Sequence, residues 1–121
     1  MIGPIELPWP AKPLSPNTRQ HWSVRSKSVK SARVGAFYTV RSACKTTQPW
    51  ERVSVSMTFC PPDKRRRDRD NLIASMKAAT DGIADALGVD DSKFEITYSI
   101  SSPIKGGAVI VTLEEAPANE R

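Results

Sequence analysis

Histidine, cysteine and long apolar runs are all scarce in this chain, and each scarcity removes a class of function. Among its 121 residues there is one histidine, His21, and two cysteines, Cys44 and Cys60. The cysteines stand apart with no CxxC pair and no histidine nearby, which argues against a zinc site and a disulfide framework and for packed thiols. A lone histidine in a loop is an ordinary surface or packing residue more often than a catalyst. No stretch is long and apolar enough to span a bilayer, and the first residues lack a signal peptide's order of charge and apolarity, so a cytoplasmic protein with no membrane partner is expected. Internal repeats, helix-turn-helix spacing and zinc-finger ligands are likewise missing.

What the chain does have is positive charge. Lysine and arginine number 18 against 13 aspartate and glutamate, a formal charge of +5. That balance points to a polyanionic partner. The length suits one domain with a modest core, to which a partner subunit would add.

Periodicity sketches the architecture. Ile2 to Leu7 has a short strand's alternation, ended by Pro8 and Pro10. Residues 11–22 read as loop, with Arg19, His21 and Trp22 as a basic and aromatic cluster in which Arg19 could touch DNA. Val29, Ala32, Ala36, Val40 and Ala43 form a helical stripe over 28–44. From Arg52 to Phe59 the pattern alternates cleanly, with Val53, Val55, Met57 and Phe59 on one face. Asn71 to about Leu87 reads as one helix with a buried line of Leu72, Met76, Ala79, Ile83 and Leu87, and with Gly88 as its C-terminal cap. Ile96, Tyr98 and Ile100 alternate, and Ala108 to Leu113 reads as a largely buried strand. The expected fold is therefore α+β, one domain over 1–114 in the order β-α-β-α-β-β, with helices packed on a mixed or antiparallel sheet. Residues 115–121 are expected to be a disordered polar tail.

The stretch KRRRDRDNL, residues 64–72, organises the functional reading. A block of adjacent cations is stable when solvated or neutralised by a polyanion such as a nucleic-acid backbone. Two aspartates spaced i, i+2, Asp68 and Asp70, repel unless one is protonated or both share a hard cation such as Mg²⁺. A basic wall beside a metal-holding acidic pair is what hydrolysis of a phosphodiester requires. The competing reading is that the run is solvated surface and Asp70 a helix N-cap. Lys77 and Asp81 fall with Asp70 on the helix face opposite the buried line. A third acid, Asp90 or Asp91, stands in the turn that follows.

These motifs taken in order, DKRRRDRDNL, DGIADAL, the pair Asp90 and Asp91, the closing PIKGG, and the opening LPWP and SPNTRQHW, resemble the RusA family of Holliday junction resolvases over nearly the whole chain. The resemblance implies a small, Mg²⁺-dependent, intertwined homodimeric endonuclease of the kind often carried by phages and prophages, which resolves four-way DNA junctions by paired nicks in recombination and repair. It implies that Asp68, Asp70 and Asp91 are the essential, metal-holding aspartates. Lys64, Arg65, Arg66, Arg67 and Arg69 become the basic run on DNA. In the family's pattern a functional lysine stands two positions after Asp-Asn-Leu, where this chain has Ala74. Lys77 lies three residues on, on roughly the same helix face, and is the candidate for that role. No protein partner beyond a second copy is expected.

A continuous helix from Asn71 to Leu87 would be roughly 25 Å long and would carry Asp91 away from Asp70. Either the helix breaks at Gly82 and the chain returns, or Asp91 joins the aspartate pair of the other subunit across a twofold axis; the second is favoured. Two other readings compete. Pro62-Asp63 followed by Asp91-Ser92-Lys93 matches the degenerate PD-(D/E)xK pattern of restriction-type nucleases. A non-catalytic basic DNA-binding phage protein would explain the arginines but would not need the aspartates.

Overall fold

The structure is a computed structural model that describes residues 1–16, 21–44 and 50–117. Four strands, β1 (Ile2–Pro8), β2 (Val53–Cys60), β3 (Phe94–Ile100) and β4 (Ala108–Glu115), form one sheet in the order β1-β4-β2-β3. Three helices pack on it: α1 (Trp22–Ala43), α2 (Arg69–Ser75) and α3 (Lys77–Leu87). Short 3-10 turns occupy Lys12–Leu14 and Asp91–Lys93. The chain is thus a single α+β domain on a mixed sheet, because β1 and β2 each run antiparallel to β4 while β3 runs parallel to β2. A parallel pair cannot be joined by a tight turn, and here α2 and α3 make the crossover.

Alternation explains the layering. Val53, Val55, Met57 and Phe59 of β2, together with Val109, Val111 and Leu113 of β4, are almost wholly buried under the helices. The residues that alternate with them, Ser54, Ser56, Thr58 and Thr112, and the β3 partners Thr97 and Ser99 face the other way and leave a hydroxyl-rich face. There the Thr58 and Ser99 hydroxyls meet at 3.1 Å. One dry and one polar face is the usual economy of a sheet covered on one side. Ala36 and Val40 of α1 and Leu72, Met76, Ala79 and Ile83 of the α2–α3 segment close the core.

Three expectations need correction. The first helix begins at Trp22 rather than at position 28. Its N-cap is His21, whose Nδ1 accepts the Ser23 N–H at 3.2 Å. Histidine is not among the usual capping residues, so the signal was absent from the sequence. The second helix is two helices. The break falls at Met76 (φ −94°, ψ 3°), not at Gly82, which lies inside α3. The Ser75 hydroxyl donates to the Asn71 carbonyl at 2.7 Å, a back-bond that bends helices, and the Met76 N–H turns to the Ile73 carbonyl at 3.1 Å. Burial of the Met76 side chain fixes the bend in the core. Finally, β4 continues to Glu115, and the buried Ala116 donates its N–H to the Arg52 carbonyl at 3.0 Å, so ordered chain passes the expected boundary at 114. Residues 118–121 lie outside the described residues. Gly88 caps α3 as expected, with the positive φ of 68° that a residue without Cβ adopts freely.

Cys60 is buried and Cys44 partly so, and the two are not joined to each other by a disulfide. Among the described residues no helix is long and apolar enough to cross a membrane.

Candidate functional site

The break at Met76 and the turn at Gly88 determine where the acids go. After α3 ends, Val89 packs into the core and the chain doubles back through the Asp91–Lys93 turn. This brings Asp91 alongside the start of α3. There the Lys77 ammonium donates to Asp91 Oδ2 at 2.8 Å and to Asp81 Oδ1, one helical turn on, also at 2.8 Å. The hydrogen bonds to Asp81 and then Asp91 push the Lys77 pKa up from its ordinary value, more than its slight burial lowers it. Lys77 therefore stays a cation across the neutral range and is lent to two carboxylates. Asp90 does not join them; it caps the 3-10 turn, accepting the Ser92 N–H at 3.1 Å, and its bonds to Ser92 hold its pKa below the usual value. Asp91 is the acid turned toward Lys77. This contact lies within one chain.

At the other end of the segment the structure separates the two members of the aspartate pair by role. Asp68 is the N-cap of α2, its Oδ1 accepting the N–H groups of Asp70 at 2.9 Å and Asn71 at 3.3 Å. Asp70, read from sequence as a possible cap, sits instead in the first turn of α2, exposed, where its charge suits the positive end of the helix dipole.

The basic run divides likewise. Asp63 organises it: Asp63 Oδ1 accepts the Arg65 N–H at 2.9 Å, the Arg65 Nε–H also reaches the carboxylate, and Arg67 Nη2 reaches Oδ1 at 3.0 Å. The Arg65 backbone and side-chain bonds, with Arg67 helping, hold the Asp63 carboxyl down at about 2. Arg67 turns inward, donating to the carbonyls of Asp63 and Arg65 and lying 5.4 Å above the Trp9 ring. It is a scaffold for the loop, not a free contact. Arg69 donates to the Tyr98 carbonyl at 3.0 Å. The Ser101 N–H reaches the Phe59 carbonyl on β2, and strand alternation therefore turns the Tyr98 carbonyl to the unpaired edge of β3. Lys64 and Arg66 are exposed and make no side-chain hydrogen bond or ion pair among the described residues. Arg19 lies outside the described residues.

Asp68, Asp70 and Asp91 carry the hard oxygen donors that Mg²⁺ takes. Yet among the described residues no group of three or more His, Cys, Asp or Glu side chains is gathered to hold a metal ion. One oxygen of Asp68 is spent on the helix cap and one of Asp91 on Lys77. The restriction-type pattern fares no better, since residues 91–93 form a 3-10 turn where that pattern needs a strand, and Asp63 is committed to its arginines. Sequence reasoning placed Asp81 on the right helix face but gave it no role; its i, i+4 spacing from Lys77 was the available signal.

No protein-family model matches the chain. Over 113 residues it is 42% identical to an uncharacterized protein of Xylella fastidiosa (strain Temecula1), a match covering 90% of this chain and 74% of that protein. The chain belongs to the same family as that protein.

Proposed function

We propose that the protein is a RusA-like, structure-selective endodeoxyribonuclease of the cytoplasm that resolves four-way DNA junctions by paired symmetric nicks. The observation that supports this reading best is the Lys77 ammonium set between Asp81 and Asp91, on a helix pair whose leading turn carries Asp68 and Asp70. Asp81 of α3 and Asp91 of the turn after it meet a fixed cation that follows a run of arginines in the chain, and an anionic phosphodiester needs both signs of charge. In this reading Lys64 and Arg66 contact the backbone, Arg65 and Arg67 shape the loop, Lys77 offsets charge developing on the phosphate, and Asp68, Asp70 and Asp91 are the essential acids. Mg²⁺ is the proposed cofactor, and its donor set would be completed by phosphate oxygens or by a second copy of the chain. A homodimer would match the twofold symmetry of a four-way junction and give two matched cuts.

Incubation with a labelled four-way junction and a linear duplex, with Mg²⁺ or with EDTA, tests the proposal. Symmetric nicks in the junction that EDTA abolishes, and that Asp70→Asn and Asp91→Asn each remove, are expected. Undiminished scission by those variants would refute it. Mixing the two variant chains then asks whether a centre is shared: activity restored in mixed dimers means shared, none means self-contained.

A non-catalytic DNA-binding role is the second reading. Its specific support is that Asp63, Asp68, Asp81 and Asp91 all have structural partners. Tight junction binding without any cleavage would favour it.

A further inference from the structure

Helix α1 is unusual in carrying five lysines and arginines, Arg25, Lys27, Lys30, Arg33 and Arg41, and no aspartate or glutamate along its 22 residues. Two of the five are hydrogen-bonded within the chain. Arg25 donates to the carbonyls of Pro13 and Ser15, and Arg33 makes a two-pronged ion pair with Asp85 at 2.7 and 3.0 Å. The other three share one side. At 100° per residue, positions 27, 30, 34, 38 and 41 fall within about 80° of arc, opposite the buried Ala36 and Val40.

All five of these residues are exposed, so Lys27, Lys30, Val34, Tyr38 and Arg41 form a stripe about 21 Å long on the outside of the domain. Arg41 lies 5.8 Å from the Phe37 ring centroid, and among the described residues no carboxylate pairs with Lys27, Lys30 or Arg41. Lys27 and Lys30, three apart on one face, repel each other with nothing to offset them. Such a stripe contributes to stability only when an anion lies along it.

Its position is also informative. Lys27 borders a groove of about 460 Å³ that is also lined by Trp9, the ring under the Arg67 guanidinium. One end of the stripe and the indole that carries Arg67 thus line one groove.

We propose that the outer face of α1 is a second contact surface for duplex DNA, taking the phosphate backbone through Lys27, Lys30 and Arg41. The partner is a polyanion, not an apolar protein face, because three of the five stripe residues are cations and the helix holds no acid. The inference rests on the nucleic-acid reading above, although it does not require cleavage.

Salt dependence of duplex and junction binding by the full chain tests it. Each lost phosphate contact removes about 0.9 from the slope of log K against log salt, so the triple variant Lys27→Gln, Lys30→Gln, Arg41→Gln should lose about 2.7 and bind a few hundredfold more weakly at 0.1 M salt. Lys27→Arg with Lys30→Arg should keep the slope. Unchanged circular dichroism and melting temperature would exclude misfolding as the cause. An unchanged slope in the triple variant, while Lys64→Gln with Arg66→Gln lowers it, overturns this inference and leaves the proposed function standing. A change in oligomeric state with an unchanged slope overturns it in favour of a contact between copies. A lowered slope in a protein that never cuts upholds it and removes the nuclease. A wild-type chain that binds no DNA removes both.

Discussion

Gly82 and Gly35 offer a matched test of how the helices are held, because both lie inside helices and only one lies at a crossing. A Cβ built on Gly82 would press into the Arg33 carbonyl oxygen and stand 3.0 Å from the Ala36 Cβ, whereas one built on Gly35 meets nothing within 4 Å. Glycine to alanine within a helix gains about 0.8–1.0 kcal/mol from propensity alone. At Gly35 that gain should appear nearly whole. At Gly82 it is opposed by overpacking, typically about 1–3 kcal/mol, toward the upper end because the obstructing atom is backbone and cannot rotate away. The net expectation is that Gly82→Ala loses about 1–2 kcal/mol. In a domain of this size each 1 kcal/mol moves the melting temperature by about 3–5 °C, so Gly82→Ala should melt roughly 3–10 °C lower and Gly35→Ala a few degrees higher. Urea unfolding followed by circular dichroism measures the same difference isothermally. A Gly82→Ala protein as stable as wild type would refute the close approach of α1 and α3 at that position.

Other consequences are equally direct. Asp68→Asn keeps a side-chain oxygen for the cap and should change stability by less than about 0.5 kcal/mol, whereas Asp68→Ala should cost about 1 kcal/mol; a urea midpoint equally lowered in both would dissociate Asp68 from the cap. Ile83→Ala, at a fully buried position, should cost about 2–5 kcal/mol by the same measurement. The Asp63 carboxyl should titrate at about 2 by carbon NMR, below the ordinary 3.8, and Arg65→Met should raise that midpoint. Because the folded value is depressed, the contribution of Asp63 to stability is complete above the ordinary pKa and fades as the pH falls toward about 2.

The parts of the fold that were legible in the sequence are those where one physical signal acts alone. The alternation of Val53 to Phe59 marked its buried face because a strand covered on one side allows no other assignment, and Gly88 marked a helix end because its backbone conformation favours a residue without Cβ. The break at Met76 was not legible. Met76 continues the apolar line of the helix, and what bends the chain is a serine hydroxyl turned back on the carbonyl of Asn71, which periodicity does not register. The sheet order was equally hidden, since inserting β4 between β1 and β2 is a long-range choice. In the candidate site, composition identified the acids and cations but not their partners. Arg67 and Lys64 look alike in sequence, yet one lies over an indole and the other faces solvent.

The bond from Arg69 to the Tyr98 carbonyl ties the first turn of α2 to a strand that, among the described residues, has a neighbour on one flank only. Fraying of that flank and lifting of the acid-bearing turn are thereby one event. Amide exchange along 94–100 should report on the turn's mobility, and a foreign strand seeking to add itself to the sheet must first displace a guanidinium.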